Sequence, residues 1–105
     1  MEERIRFESD GGFLRAVIIG DIDHHSATGM RDAIDKRLFR EKPLSLILDF
    51  SLVHFMDSSG IGLVMGRYRN LIKTGAELSI MGAPPQINKM LKLAGIERLA
   101  KLESR

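Results

Sequence analysis

The stretch LSLILDFSLVHFMDSSGIGLVMGRYRNLIKTG, residues 44–75, passes from one hydrophobic periodicity to another, and that passage decides the fold. Leu44 to Phe50 is a dense apolar run of the kind buried in a sheet. Ser58 to Thr74 repeats its apolar residues at steps of three and four, as a helix does. Gly75 supplies the cap that closes such a helix, and Ser51 to Asp57 reads as the loop between strand and helix. With a further strand expected at Glu77 to Met81, this is the repeating unit of an α/β protein. At the junction stands Asp57-Ser58-Ser59-Gly60. Helix starts carry unpaired N–H groups and the positive end of the macrodipole, so an anion placed there gains hydrogen bonds and charge compensation. Ser58 is therefore a candidate phosphate acceptor. The plainer reading of the same residues is an N-cap, a position that Asp and Ser favour.

Working outward, Ile5 to Glu8 and Phe13 to Gly20 read as strands joined by the turn Ser9-Asp10-Gly11-Gly12. Leu14, Ala16, Val17, Ile18 and Ile19 form a nearly continuous apolar run, expected of a strand covered on both faces. Ala27, Met30, Ile34 and Leu38 mark an amphipathic helix from Ser26 to about Arg40, stopping before Pro43. Pro84 or Pro85 opens another helix that turns Ile87, Met90, Leu91 and Ala94 inward and ends at Gly95, before a short last segment, Ile96 to Leu102. The expected architecture is α/β: one domain over residues 1–105, with a mixed, mostly parallel sheet of about five strands and helices packed on it. Parallel strands deliver their following residues to the same end of a sheet, where α/β proteins hold their sites. Asp21, Asp23, His24 and His25 are thus expected beside Asp57 and Ser58.

Composition narrows the function. A chain of 105 residues is large enough for one core and too small for two, which argues against an active site shared between domains. With one Tyr, five Phe and no Trp, the core is built from aliphatic side chains and Met. Sixteen Lys and Arg against fourteen Asp and Glu are dispersed and form no basic stripe, so no nucleic-acid partner is expected. The absence of Cys excludes disulfides and thiolate metal sites. The polar start Met1-Glu2-Glu3-Arg4 is unlike a signal peptide, and no apolar run reaches a membrane span, so a cytoplasmic protein without a membrane partner is expected.

The helix from Ser58 has an unusual outer face. At about 100° per residue, Ile61, Val64, Met65, Tyr68, Leu71 and Ile72 share a core-facing arc of roughly 120°. The opposite side collects Ser59, Gly62, Leu63, Gly66 and Asn70, small and partly apolar where a solvated helix would be charged. Two interior glycines cost a helix about 1 kcal/mol each relative to Ala, so close approach of another backbone is implied. Either a neighbouring segment of the same domain covers this strip, or a partner docks along Gly62, Leu63 and Gly66 with Ser58 at the rim.

Three runs, Gly20-Asp21-Ile22-Asp23-His24-His25, Phe55-Met56-Asp57-Ser58-Ser59-Gly60-Ile61-Gly62 and Gly66-Arg67-Tyr68, resemble the bacterial anti-sigma factor antagonists of the STAS domain family. The likeness spans nearly the whole chain and is nearest to the sporulation-type antagonists that control the forespore sigma factor. It implies a single STAS-like domain and a phospho-switch. The serine after the aspartate, here Ser58 after Asp57, is phosphorylated by the anti-sigma factor, itself an ATP-dependent serine kinase, and a serine phosphatase removes the phosphate. The unphosphorylated antagonist binds the anti-sigma factor and frees the sigma factor. Asp23 matches the acidic position through which the family contacts the kinase, and Asp57, Ser59, Gly62, Leu63 and Gly66 complete the expected partner surface. Many relatives continue into another amphipathic helix, whereas this sequence stops at Leu102-Glu103-Ser104-Arg105. The family is described as binding nucleotide weakly, but there is no Gly-rich phosphate loop with its Lys, so no cofactor is expected.

Other readings of the same residues are a serine-nucleophile enzyme and a metal site. The first would activate Ser58 through His24, His25 or His54, with Asp23 or Asp57 orienting the ring, but the G-x-S-x-G elbow is missing. The second would gather Asp21, Asp23, His24, His25 and Asp57 around a cation such as Mg²⁺. A third keeps the family and changes the circuit, to a general-stress antagonist or a scaffold component with a different kinase.

Overall fold

The computed structural model describes residues 4–104, so the readings of residues 1–3 and of Arg105 lie outside the described residues. Strands β1 (Ile5–Asp10) and β2 (Phe13–Ile22) form the expected hairpin. Its turn is Gly11-Gly12, both at positive φ (54° and 102°), the conformation whose twist matches that of paired strands. There follow α1 (His24–Glu41), β3 (Ser45–Met56), α2 (Ser58–Ile72), β4 (Glu77–Ala83), α3 (Pro85–Leu93), a single 3-10 turn (Ile96–Arg98) and β5 (Lys101–Ser104). The sheet runs β1-β2-β3-β4-β5 in space, and every pair after the hairpin is parallel.

That order has a consequence for the helices. Each of α1, α2 and α3 connects a strand to its next neighbour in the same direction, and right-handed crossovers then place all three on one face. Leu14, Ala16 and Ile18 of β2 pack fully buried beneath them with Met30 and Ile34 of α1, Val64 and Leu71 of α2, and Ile87 and Leu91 of α3. The alternate residues of β2 do not join this core: Val17 is buried on the other face apart from it, and Phe13 and Ile19 are only half-buried. The sequence reading that β2 is covered on both faces is therefore corrected: its apolar run belongs to a central strand with one helix-covered face. Two inward assignments also change. Ala94 lies beyond the end of α3 and is exposed, and Ile72, in the last turn of α2, is 54% exposed.

The largest correction concerns residues 51–56, expected as a loop and found as the second half of β3. Between the pairs Val17↔Asp49 and Ile19↔Leu52, β2 advances two residues while β3 advances three; between Gly20↔Val53 and Asp21↔Phe55 it advances one to β3's two. Two bulges therefore sit in β3. Each extra residue bends the strand and breaks strict alternation, so the inward residues run Leu46, Leu48, Phe50 and then Val53 and Met56. Just before the first bulge, Asp49 lies on the helix-free face, only 2% exposed, where Arg15 donates to it from Nε at 3.1 Å and the Ser51 N–H at 2.9 Å. Burial pushes the Asp49 carboxyl up, but the bonds from Arg15 and Ser51 outweigh it and leave it below the usual carboxylate range.

This pair makes stability acid-sensitive in a defined direction. The contribution of a depressed carboxyl is present above its unfolded pKa and is lost as pH falls through the folded one. Arg15→Ala is expected to cost about 2 kcal/mol, less than a fully buried pair because Arg15 is a third exposed. Its cost should be largest near neutral pH and shrink as pH falls through the folded pKa of Asp49, because the variant lacks the bonds from Arg15 that hold this carboxyl down and so has less stability to lose on protonation. Urea melts across pH 3 to 7 check both effects; a cost that stays the same at every pH would contradict the assignment.

Candidate functional site

The ends of β2 and β3 are tied side by side. Asp21 pairs with Phe55 and Ile22 with Met56, and the Asp57 N–H donates to the Ile22 carbonyl at 3.1 Å. Both strands pass into helices through a single residue, Asp23 before α1 and Asp57 before α2. The expected neighbourhood of the two acidic segments is thus formed, but as two adjacent helix caps, with His24 and His25 already in the first turn of α1.

Asp23 closes a capping box. Its Oδ1 accepts from the N–H groups of His25 and Ser26, both at 2.9 Å, while the Ser26 Oγ accepts from the Asp23 N–H at 3.0 Å. The Ser26 N–H is the main influence holding the Asp23 carboxyl below the usual carboxylate range, with slight burial opposing it and the Ser26 hydroxyl and His25 N–H reinforcing it. Asp57 caps α2 by accepting the Ser59 N–H at 2.8 Å. Ser58, between them, is the first residue of α2, is exposed, and its hydroxyl has no hydrogen-bond partner among the described residues. The cap and the acceptor are therefore different residues: Asp57 holds the helix start and leaves Ser58 Oγ free in solvent.

Gly60 explains how the turn holds its place. It is buried, and a Cβ there would overlap the Met56 side chain, so the chain leaving β3 folds directly back against its own last inward residue. Gly62 and Gly66 differ. A Cβ at either would meet open space, so neither glycine answers to close packing within the domain. They line a groove of about 280 Å³ between α1 and α2, with Ser59 at one end and Leu63 as its floor. Here the sequence reading of Leu63 is corrected: it is 4% exposed and belongs to the core, because α1 crosses beside α2 and draws it inward.

Sequence reasoning missed several residues at this end. Arg67 is 5% exposed, with Nε 2.8 Å from Asp35 of α1, and Arg31 and Arg69 flank the same groove. Phe55 stands 53% exposed beside Asp21. The signal for Arg67 was its place one turn after Leu63, on a side of α2 that only the position of α1 defines. The histidines do not assemble around Ser58: His24 and His25 contact each other edge-to-face at 5.8 Å, and no histidine hydrogen-bonds Ser58 among the described residues. Nor do the described residues contain three or more His, Asp or Glu side chains grouped closely enough for a metal ion, and no helix among them is long and apolar enough to cross a membrane.

A βαβ sheet singly covered by helices, with two capped helix starts side by side and a free serine on the second, defines a STAS-type regulatory domain. Residues 4–105 match the STAS domain family, and the chain belongs to it. It is 28% identical over 99 residues to an anti-sigma F factor antagonist of Paenibacillus polymyxa, covering 94% of this chain and 85% of that one. The solved anti-sigma factor antagonist SpoIIAA in its unphosphorylated form matches with a TM-score of 0.83 and 25% identity over 96% of this chain and 87% of that chain. The phosphorylated form of the Bacillus protein matches at 0.76, also with 25% identity, over 96% and 90%.

The two kinds of position along α2 separate by mutation. Leu63→Glu places a carboxylate in the core and is expected to cost more than about 3 kcal/mol, enough to unfold a marginal domain. Gly62→Arg enters open space and should leave the melting temperature within a few degrees of wild type, or raise it, since Gly is a poor helix former. Circular dichroism melts of the two variants check this; equal tolerance would contradict the inward placement of Leu63.

Proposed function

We propose that this chain is an anti-sigma factor antagonist whose binding is switched off by phosphorylation of Ser58. The unphosphorylated protein binds an anti-sigma factor that is a serine kinase using ATP, and so releases a sigma factor to act in transcription. A serine phosphatase returns the modified form to the binding state. The chain itself carries out no catalysis in this cycle, which runs in the cytoplasm, and the sporulation circuit is the one favoured by the Paenibacillus relative. The observation that carries the reading is the free, exposed Ser58 hydroxyl at the first position of α2, beside an aspartate already committed to the cap.

The partner surface proposed around it comprises Asp23, Asp57, Ser59, Gly62 and Gly66, with Leu63 supporting it from below. The capped aspartates hold rigid positions and the glycines leave the groove shallow. Phosphorylation adds about −1.5 to −2 charges and three acceptor oxygens. The start of α2 supplies the positive end of its dipole, so the domain tolerates the dianion. A partner carboxylate does not: at an effective dielectric near 20 and a separation near 5 Å each charge pair is worth about 3 kcal/mol, and a hundredfold loss of affinity needs only about 2.7.

The test is to incubate the protein with its cognate anti-sigma kinase and ATP, map the phosphate by peptide mass spectrometry, and measure binding. Ser58→Ala is expected to bind like wild type and take no label, and Ser58→Asp to bind at least about tenfold more weakly. Label on Ser59, or continued labelling of the Ser58→Ala variant, would overturn the assignment.

A further inference from the structure

The groove between α1 and α2 carries positive charge that the fold does not use up. Arg31, Arg67 and Arg69 all line it, against two nearby carboxylates, Asp32 and Asp35. Asp35 is shared between Arg67 and the Asn70 amide. Arg31 pairs with its neighbour Asp32 at 3.2 Å, both side chains more than half exposed, an arrangement weak enough to yield to a better acceptor. Arg69 has no ion-pair partner among the described residues.

Arg67 is the odd member. It is nineteen-twentieths buried, yet its Nε–H finds no hydrogen-bond acceptor despite lying 2.8 Å from the Asp35 carboxylate, and its Nη1 reaches the Leu63 carbonyl only at 3.4 Å. Burial lowers its pKa most; Asp35 opposes this, while Arg31 and Arg69 push it further down. An under-bonded buried guanidinium with two more at the rim is a receptor for a planar anion, since the fork of an arginine matches a carboxylate.

We infer that this groove receives an acidic side chain of the anti-sigma factor, held by Arg31, Arg67 and Arg69. The inference rests on the proposed function and adds the chemistry of the partner. A volume of about 280 Å³ falls just below the range for ligand pockets, ~300–1,000 Å³, and suits one carboxylate better than a cofactor. The groove is also continuous with the phosphoacceptor end through Ser59, Gly62 and Gly66, so a protein docked at Ser58 lies across it. The surface is bipolar: Asp21, Asp23 and Asp57 stand where β2 and β3 pass into their helices, while Arg67 and Arg69 of α2 and Arg31 of α1 line the groove between those helices. A partner must present cations to one end and an anion to the other, which fixes its orientation. Arg69 is eleven residues, about 16 Å, from Ser58 along the helix, beyond the ~8 Å screening length, so the phosphate leaves this contact chemically intact and acts at the other end.

The experiment compares binding of the cognate anti-sigma factor to wild type, Arg69→Glu, Arg31→Glu and Lys89→Glu, the last making the same charge change on α3, away from the groove. All three changes are at exposed positions, and a melting curve confirms that each variant is folded. The expected result is a loss of at least about tenfold for each groove variant, shrinking toward 1 M salt, with Lys89→Glu within about twofold of wild type. Arg69→Lys should recover part of the loss. Wild-type affinity in both groove variants, with Ser58→Asp still unable to bind, would overturn the groove and leave the switch standing. Equal losses in the groove and Lys89 variants would overturn it as well. A wild type that never binds the anti-sigma factor would remove both the groove and the functional reading.

Discussion

One hydrogen bond organises the functional end of this domain: the N–H of Asp57 donates to the carbonyl of Ile22 at the last paired position of β2 and β3. It requires the two strands to finish level although β3 carries two more residues than its partner over the paired stretch, and the bulges absorb that excess. With the strands level, each needs only one residue to enter its helix. Two aspartates become caps next to each other, and the positive ends of two helix dipoles lie side by side. A longer loop at either strand would separate them.

On the proposed switch, the same constraint lets Ser58 change its charge while the domain keeps its fold. Its side chain bonds to nothing among the described residues, so a phosphate there displaces none of their hydrogen bonds. Met56, Val64 and Leu71 anchor the segment on either side in the core, and Gly60 packs against Met56 where any side chain would displace the methionine. The energetic consequence of modification is therefore exported to whatever lies on the surface. With acidic caps at one end of α2 and arginines along it, the partner we propose would be read at two places by opposite charges, and only one of them altered by the phosphate.

Much of this was legible in the sequence where local rules and tertiary packing agree. The Gly-Gly hairpin, the α2 stripe of Val64 and Leu71, the Pro84-Pro85 start of α3 and the Asp57 cap follow from turn chemistry, helical periodicity and capping preference, each needing only neighbours in the chain. Residues 51–56 were not legible as strand because the bulges replace a period of two by steps of three, leaving His54 and Phe55 outward in a run that reads as loop. Leu63 was misplaced for another reason: a helical projection divides a helix into two sides, whereas α2 is packed by the sheet below and by α1 beside it. The face given to α1 holds Leu63 and Arg67, and the arginine groove exists only because the two helices meet there. The one-sided covering of the sheet likewise follows from strand order, which a strand's own composition does not encode.

The central claim is that Ser58 carries a phosphate at the start of an intact α2, so that modification acts on the partner and leaves the domain folded as before. Amide hydrogen exchange on the purified Ser58-phosphorylated and unmodified proteins tests this directly. Protection at Val64, Leu71 and the β3 residues Leu46 to Phe50 is expected to be the same in both forms, with changes confined to the first turn of α2 and the Asp57 cap. Loss of protection along α2 or into β3 would contradict the account and make the switch a partial unfolding of the domain.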